Sequence, residues 1–196
     1  MSDNSLSDPD KKVLLFLARQ SIELAVSRKP LPALNFKEFS PLLVQVGASF
    51  VTLTQNGSLR GCIGSLEPYQ SLVQDVCEHA VAAALHDPRF NPVREVEIPS
   101  LHIEVSRLTM PQPFEYTSPD ELPARLRPGI DGVILRDGPS RATFLPQVWE
   151  QLPSPEEFLT HLCQKMGASP NLWRHKVLKV SIYQVEEFHE SQFQMP

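Results

Sequence analysis

The 196-residue chain reads as an α+β protein with two lobes, built on an antiparallel sheet flanked by helices. Three observations predict this. Asn56-Gly57 and Asp137-Gly138-Pro139-Ser140 each lie between short alternating apolar runs and mark antiparallel hairpins. Each hairpin is followed by a helical stripe and then another alternating run, so a hairpin–helix–strand unit reads as occurring twice, offset by about 83 residues. The regular strand–helix succession of a doubly wound parallel fold does not occur.

Residues 8–28 read as a helix. Ser7 is a capping residue with Asp10 three positions on as its reciprocal partner. Leu14, Leu17, Ile22, Ala25 and Val26 supply the apolar spacing. Lys29 to Pro41 carries Pro30, Pro32 and Pro41 and is expected as an irregular connection. Residues 49–54 alternate as a strand, and Leu59 to Leu66 form its return strand, stopped by Pro68. Residues 70–86 form a helix with Leu72, Val73, Val76, Cys77 and Ala80 on one stripe. Pro88 ends it, because the residue before a proline avoids the α region. Leu101, Ile103 and Val105 alternate in a further strand.

In the second half, Ser118-Pro119-Asp120-Glu121 opens a short helix. Gly132 to Arg136 and Ala142 to Leu145 are the hairpin strands. Ser154-Pro155-Glu156-Glu157 starts a helix carrying Phe158, Leu159, Leu162, Cys163 and Met166. Val177 to Glu186 is the expected last strand. Residues 8–190 are read as a single domain, with 1–7 and 191–196 as flexible ends.

Composition adds exclusions. There are 19 prolines against 8 glycines. The prolines fall in first helical turns (Pro9, Pro119, Pro155) or between elements (Pro30, Pro68, Pro88, Pro146), so they punctuate a folded chain. No run approaches the ~18–20 apolar residues of a membrane span. The polar stretch from Met1 to Lys12 lacks the apolar region of a signal peptide, so a cytoplasmic protein is expected. The three cysteines Cys62, Cys77 and Cys163 form no C-x-x-C pair. The formal net charge of −5 argues against a general nucleic-acid binder. A local basic cluster at Arg174, His175, Lys176 and Lys179 leaves RNA binding as a third, weaker reading. Phosphate-loop, dinucleotide-loop and nucleophile-elbow motifs are not found.

The segment Leu59-Arg60-Gly61-Cys62-Ile63-Gly64 is the most unusual in the chain, with two of the eight glycines in one strand. Glycine in a strand marks a bulge or a close approach of ligand or backbone. Strand period places Arg60 and Cys62 on one face, where a guanidinium favours thiolate. Cys62 and Arg60 are therefore the catalytic candidates. Gly61 and Gly64, with Asp87 and Arg89 from the His86-Asp87-Pro88-Arg89-Phe90 turn, are the ligand-binding candidates. The plainer alternative is that Cys62 is a small buried residue, the glycines serve packing, and Asp87 and Arg89 hold the turn.

No dedicated metal site is expected. Asp75, His79 and His86 share a helix face, but His79 and His86 are ~10.5 Å apart in helical rise. His102, Glu104 and Ser106 share a strand face without matching a common metal spacing. Cys77 and Cys163 are expected in the core, and Trp149 and Trp173 as core anchors.

The hexapeptide Leu59-Arg60-Gly61-Cys62-Ile63-Gly64 resembles the signature of the AMMECR1 domain family. Asp87-Pro88-Arg89-Phe90, Glu104-Val105-Ser106, Gly129-Ile130-Asp131-Gly132-Val133 and Phe144-Leu145-Pro146-Gln147-Val148-Trp149 resemble family blocks in the family order. The resemblance covers roughly residues 10–190 and implies a two-lobed α+β architecture with a cleft between lobes. It implies that the RGCIG motif is the functional site, and it implies no established reaction or cofactor. For chains of this short, prokaryotic layout it implies a three-part system with a Memo-type protein and a radical SAM enzyme. Two functions follow as expectations. One is a subunit that binds a substrate or partner; the other is an enzyme using Cys62 as nucleophile or carrier thiol, in RNA or small-molecule modification.

Overall fold

A computed structural model describes residues 5–193. In chain order the elements are α1 (Asp8–Val26), α2 (Pro41–Val44), β1 (Val46–Gln55), β2 (Ser58–Gly64), β3 (Gln70–Ser71), α3 (Leu72–Leu85), β4 (Leu101–Leu108), β5 (Gln112–Pro113), α4 (Glu121–Arg125), β6 (Gly132–Asp137), β7 (Ser140–Phe144), α5 (Pro155–Lys165), α6 (Leu172–His175), β8 (Lys179–Tyr183) and β9 (Val185–His189). The protein is α+β, with antiparallel sheets and helices, as expected. The described residues form two compact units, one up to Leu108 and again from Glu186, the other Thr109–Val185.

In the first unit the sheet runs β2-β1-β4-β9, with β3 pairing the start of β1. α1 is opened by the expected capping box: the Asp10 N–H donates to Ser7 Oγ and the Ser7 N–H to Asp10 Oδ2, both at 3.3 Å. It ends two residues early, before Arg28, whose φ of 56° is left-handed. Leu14, Leu15, Ala18 and Ile22 of α1 and Val73, Val76 and Ala80 of α3 are buried with Val51, Leu53, Ile103 and Val105 of the sheet. The helices thus cover the face of β1 that carries Val51 and Leu53, while Phe50, Thr52 and Thr54 point to the opposite face. Asn56 and Gly57 both have positive φ, the geometry of a two-residue hairpin turn.

Leu6 is buried and its N–H donates to Glu186 Oε1 at 3.2 Å. Of the ends expected to be flexible, residues 1–4 and 194–196 lie outside the described residues.

In the second unit the sheet runs β5-β8-β6-β7. Trp149 and Trp173 are core anchors. Trp149 stacks on Phe158 with ring centroids 3.8 Å apart, and its indole N–H donates to the Asp131 carbonyl at 2.7 Å. The Trp173 ring is buried.

The expected single strand Val177–Glu186 is two strands. β8 belongs to the second sheet and β9 to the first, with Gln184 between them. Thr109 and Gln184 hold this crossing: the Thr109 N–H donates to the Gln184 carbonyl, and the Gln184 N–H to Thr109 Oγ1, each at 2.8 Å. An alternating run satisfies either sheet, so periodicity carries no sign of the change.

Candidate functional site

A β-bulge decides where Cys62 points. The tight turn pairs Gln55 with Ser58 and Thr54 with Leu59. Continued without a break, that register would set Cys62 opposite Val51, on the helix-covered face. Instead Leu53 pairs with Gly61 and Thr52 with Cys62, so Arg60 is the extra residue. A one-residue slip exchanges the faces, and Cys62 lies on the Thr52 side. The Thr52 hydroxyl donates to Cys62 Sγ at 3.3 Å.

β2 is an edge strand. The Cys62 N–H and carbonyl face outward and are met by the turn after α3. The Cys62 N–H donates to Asp87 Oδ2 at 2.8 Å, and Arg89 Nη2 donates to the Cys62 carbonyl at 3.1 Å. Asp87 is buried and takes three further hydrogen bonds from Arg89: the backbone N–H at 3.0 Å and Nε at 2.9 Å on Oδ1, and Nη2 at 2.7 Å on Oδ2, the last also an ion pair. These bonds from Arg89, helped by that from Cys62, hold the Asp87 carboxyl well below the usual range. Asp87 in turn raises the Arg89 guanidinium, with Cys62 adding to the effect. Arg89 is 53% exposed, so its cation is oriented from beneath and presented to solvent. The pair also caps an edge that would otherwise offer free strand groups.

Arg60 is not beside the thiol. Its Nε donates to Glu97 Oε1 at 3.0 Å, and the pair is largely buried, with Arg94 also on Glu97. This corrects the expected Arg60–Cys62 face: the bulge removes Arg60 from the alternation, and the guanidinium at Cys62 is that of Arg89. Arg60 first, with the two hydrogen bonds from Arg94, brings the Glu97 carboxyl from 4.5 to about 2. Stability from this pair is therefore present above pH ~4.5 and lost as pH falls through the folded value. Thermal melts between pH 5 and 2 should show a shallower loss in Arg60→Ala than in the wild type; equal slopes would contradict the pairing.

The two glycines of the motif are filled by the protein itself. A Cβ on Gly61 would overlap the Ala83 carbonyl of α3, and one on Gly64 would overlap the Phe50 ring and the Ser49 carbonyl. Cys77 and Cys163 are buried, and burial pushes both thiols up; Cys62 alone of the three is partly exposed. Asp75 is wholly buried, taking a bond from Ser49 Oγ at 2.6 Å with His79 Nδ1 3.1 Å from the same oxygen. Among the described residues no three His, Cys, Asp or Glu gather as metal ligands. In the basic cluster, Arg174 stacks over Trp173 and Lys176 pairs with Asp137 at 2.7 Å. Among the described residues no helix is long and apolar enough to cross a membrane.

Thr52 and Glu97 were not legible as neighbours of the motif. Thr52 follows from hairpin register once the bulge is known, whereas Glu97 lies 37 positions from Arg60 with no local signal.

The AMMECR1 family model matches residues 15–188. A protein of Thermofilum pendens is 37% identical, over 95% of this chain and 92% of its own length. Protein Mbar_A1807 of Methanosarcina barkeri is 38% identical, over 95% and 93%. The crystal structure of PH0010 from Pyrococcus horikoshii, titled an uncharacterized protein, is similar with a TM-score of 0.74 and 34% identity. That match covers 94% of this chain and 93% of the other.

Proposed function

The chain belongs to the AMMECR1 family, and from that premise we propose that it is a binding subunit whose Asp87–Arg89–Cys62 corner holds an anionic group of a substrate or partner. The system in which it works comprises a Memo-type protein and a radical SAM enzyme. The observation that carries this is the half-exposed Arg89 guanidinium, aimed by a buried carboxylate and a strand carbonyl. Pre-orientation lowers the entropic cost of gripping an anion, and arginine's planar fork suits carboxylate or phosphate. Asp87, Cys62 and Arg89 act as one unit, and Gly61 and Gly64 serve it by letting the edge strand lie close to α3 and β1.

A second reading has its own support. The Thr52 hydroxyl on Cys62 Sγ, at a partly exposed position, suits a nucleophile or carrier thiol. Alkylation separates the possibilities. Iodoacetamide should modify Cys62 in the native protein, and Cys77 and Cys163 only after unfolding. Adding the Memo-type protein and the radical SAM enzyme should slow reaction at Cys62, and Cys62→Ser should retain complex formation. An unchanged rate at saturating partner would overturn the binding reading. Loss of turnover in Cys62→Ser with complex formation intact would favour the second.

A further inference from the structure

The sheet face that carries Cys62 holds a carboxyl in the same row. Thr52 is the register partner of Cys62 on β2 and of Glu104 on β4. Cys62, Thr52 and Glu104 therefore lie across three adjacent strands on one face. At 4.7–4.9 Å per strand, Cys62 and Glu104 are about 10 Å apart. A ligand about that long would reach from Cys62 to Glu104 across the Thr52 hydroxyl.

Glu104 is only partly exposed. Burial raises its carboxyl above the usual range, the neighbouring Glu187 charge raises it further, and His189 acts in the opposite direction. Glu187 and His189 face it from β9, while β1 presents Thr52 and Thr54 and β2 presents Cys62. On its own strand, His102 shares its face two residues away.

We infer that Glu104 is the proton-bearing group of the Cys62 face: it takes up a proton when an anionic group seats at Arg89 and releases it when the site empties. The face then selects its ligand by charge. The inference rests on the reading of the Arg89–Cys62 corner as an anion site. A bound anion adds a like charge near Glu104 and excludes water from the row, and both favour the neutral carboxyl. The proton comes from solvent, and uptake is a fraction of one proton per anion bound, because the two charges act across the row and not in contact. Arg89 supplies the attraction; Glu104, when ionised, supplies the repulsion that lets the site discriminate against ligands already rich in charge.

Paired alkylation rates at Cys62 test this. Iodoacetate is anionic and iodoacetamide neutral, and both consume the same thiolate, so their rate ratio cancels the ionisation of Cys62 and reads the local field. Rates are followed on the Cys62 peptide between pH 5 and 8. The readout is the difference between wild type and Glu104→Gln, in which the groups common to both proteins cancel. The variant should keep a higher iodoacetate preference at pH 8, by about two- to fourfold for a charge at this separation, and the gap to the wild type should narrow as pH falls. Glu187→Gln should move the wild-type fall to lower pH. Arg89→Ala should lower the ratio at every pH while keeping the Glu104 effect. Superimposable curves for wild type and Glu104→Gln would overturn the inference about Glu104 alone. Failure of both reagents to reach Cys62 in the native protein would remove the site itself.

Discussion

Gly61→Ala is expected to destabilise the protein by about 3 kcal/mol, as overpacking against a rigid neighbour does. For a chain of this length the melting temperature should fall by about 6–12 °C. The added methyl meets the carbonyl of Ala83, which is helix backbone and has no rotamer to escape into. Relief requires α3 to move away from β2, and α3 contributes Val73, Val76 and Ala80 to the core. The same displacement would draw Asp87, just beyond the end of α3, away from the Cys62 N–H. Differential scanning calorimetry checks the size. A melting temperature within about 2 °C of the wild type would mean that the strand and helix tolerate the methyl.

Asp87→Asn should have the largest effect on the site while nearly preserving side-chain volume. The carboxylate accepts from the Cys62 N–H and from three nitrogens of Arg89. An amide presents one acceptor oxygen and one donor nitrogen, so it cannot satisfy the same set. Hydrogen bonds to a charged partner are the stronger kind, and losing this one should speed hydrogen exchange at the Cys62 amide by about tenfold or more. Arg89, freed of its anchor, should lose its contribution to binding as fully as in Arg89→Ala. The double variant should then be no worse than either single one. Unchanged exchange at Cys62, or additive losses, would show that Asp87 and Arg89 do not act together.

Local signals carried much of the fold. Asn56-Gly57 implied a two-residue turn, and both residues have positive φ. Ser7 and Asp10 implied a cap, and both halves of it form. The burial of Cys77 and Cys163 followed from their helical stripes. What periodicity could not reveal lay where register or connection departs from regularity. The bulge at Arg60 keeps a charged residue from the core face and turns Cys62 outward, yet the same letters read as an unbroken strand. The change of sheet at Gln184 hides in a run that alternates on both sides of it. Asp87 and Arg89 were candidates from their turn, but that they bracket the Cys62 peptide is a long-range packing outcome.

The reading of Arg89, and not Arg60, as the functional cation is most directly tested by titration calorimetry. The complete chain is titrated against the Memo-type protein and the radical SAM enzyme at neutral pH, using wild type, Arg89→Ala and Arg60→Ala. Loss of an oriented charge contact should weaken binding about tenfold or more in Arg89→Ala. Arg60→Ala, whose partner is Glu97, should stay within about twofold of the wild type, the scale of a substitution outside the contact. Wild-type affinity in Arg89→Ala, a loss confined to Arg60→Ala, or no binding by the wild type to either protein would contradict the account.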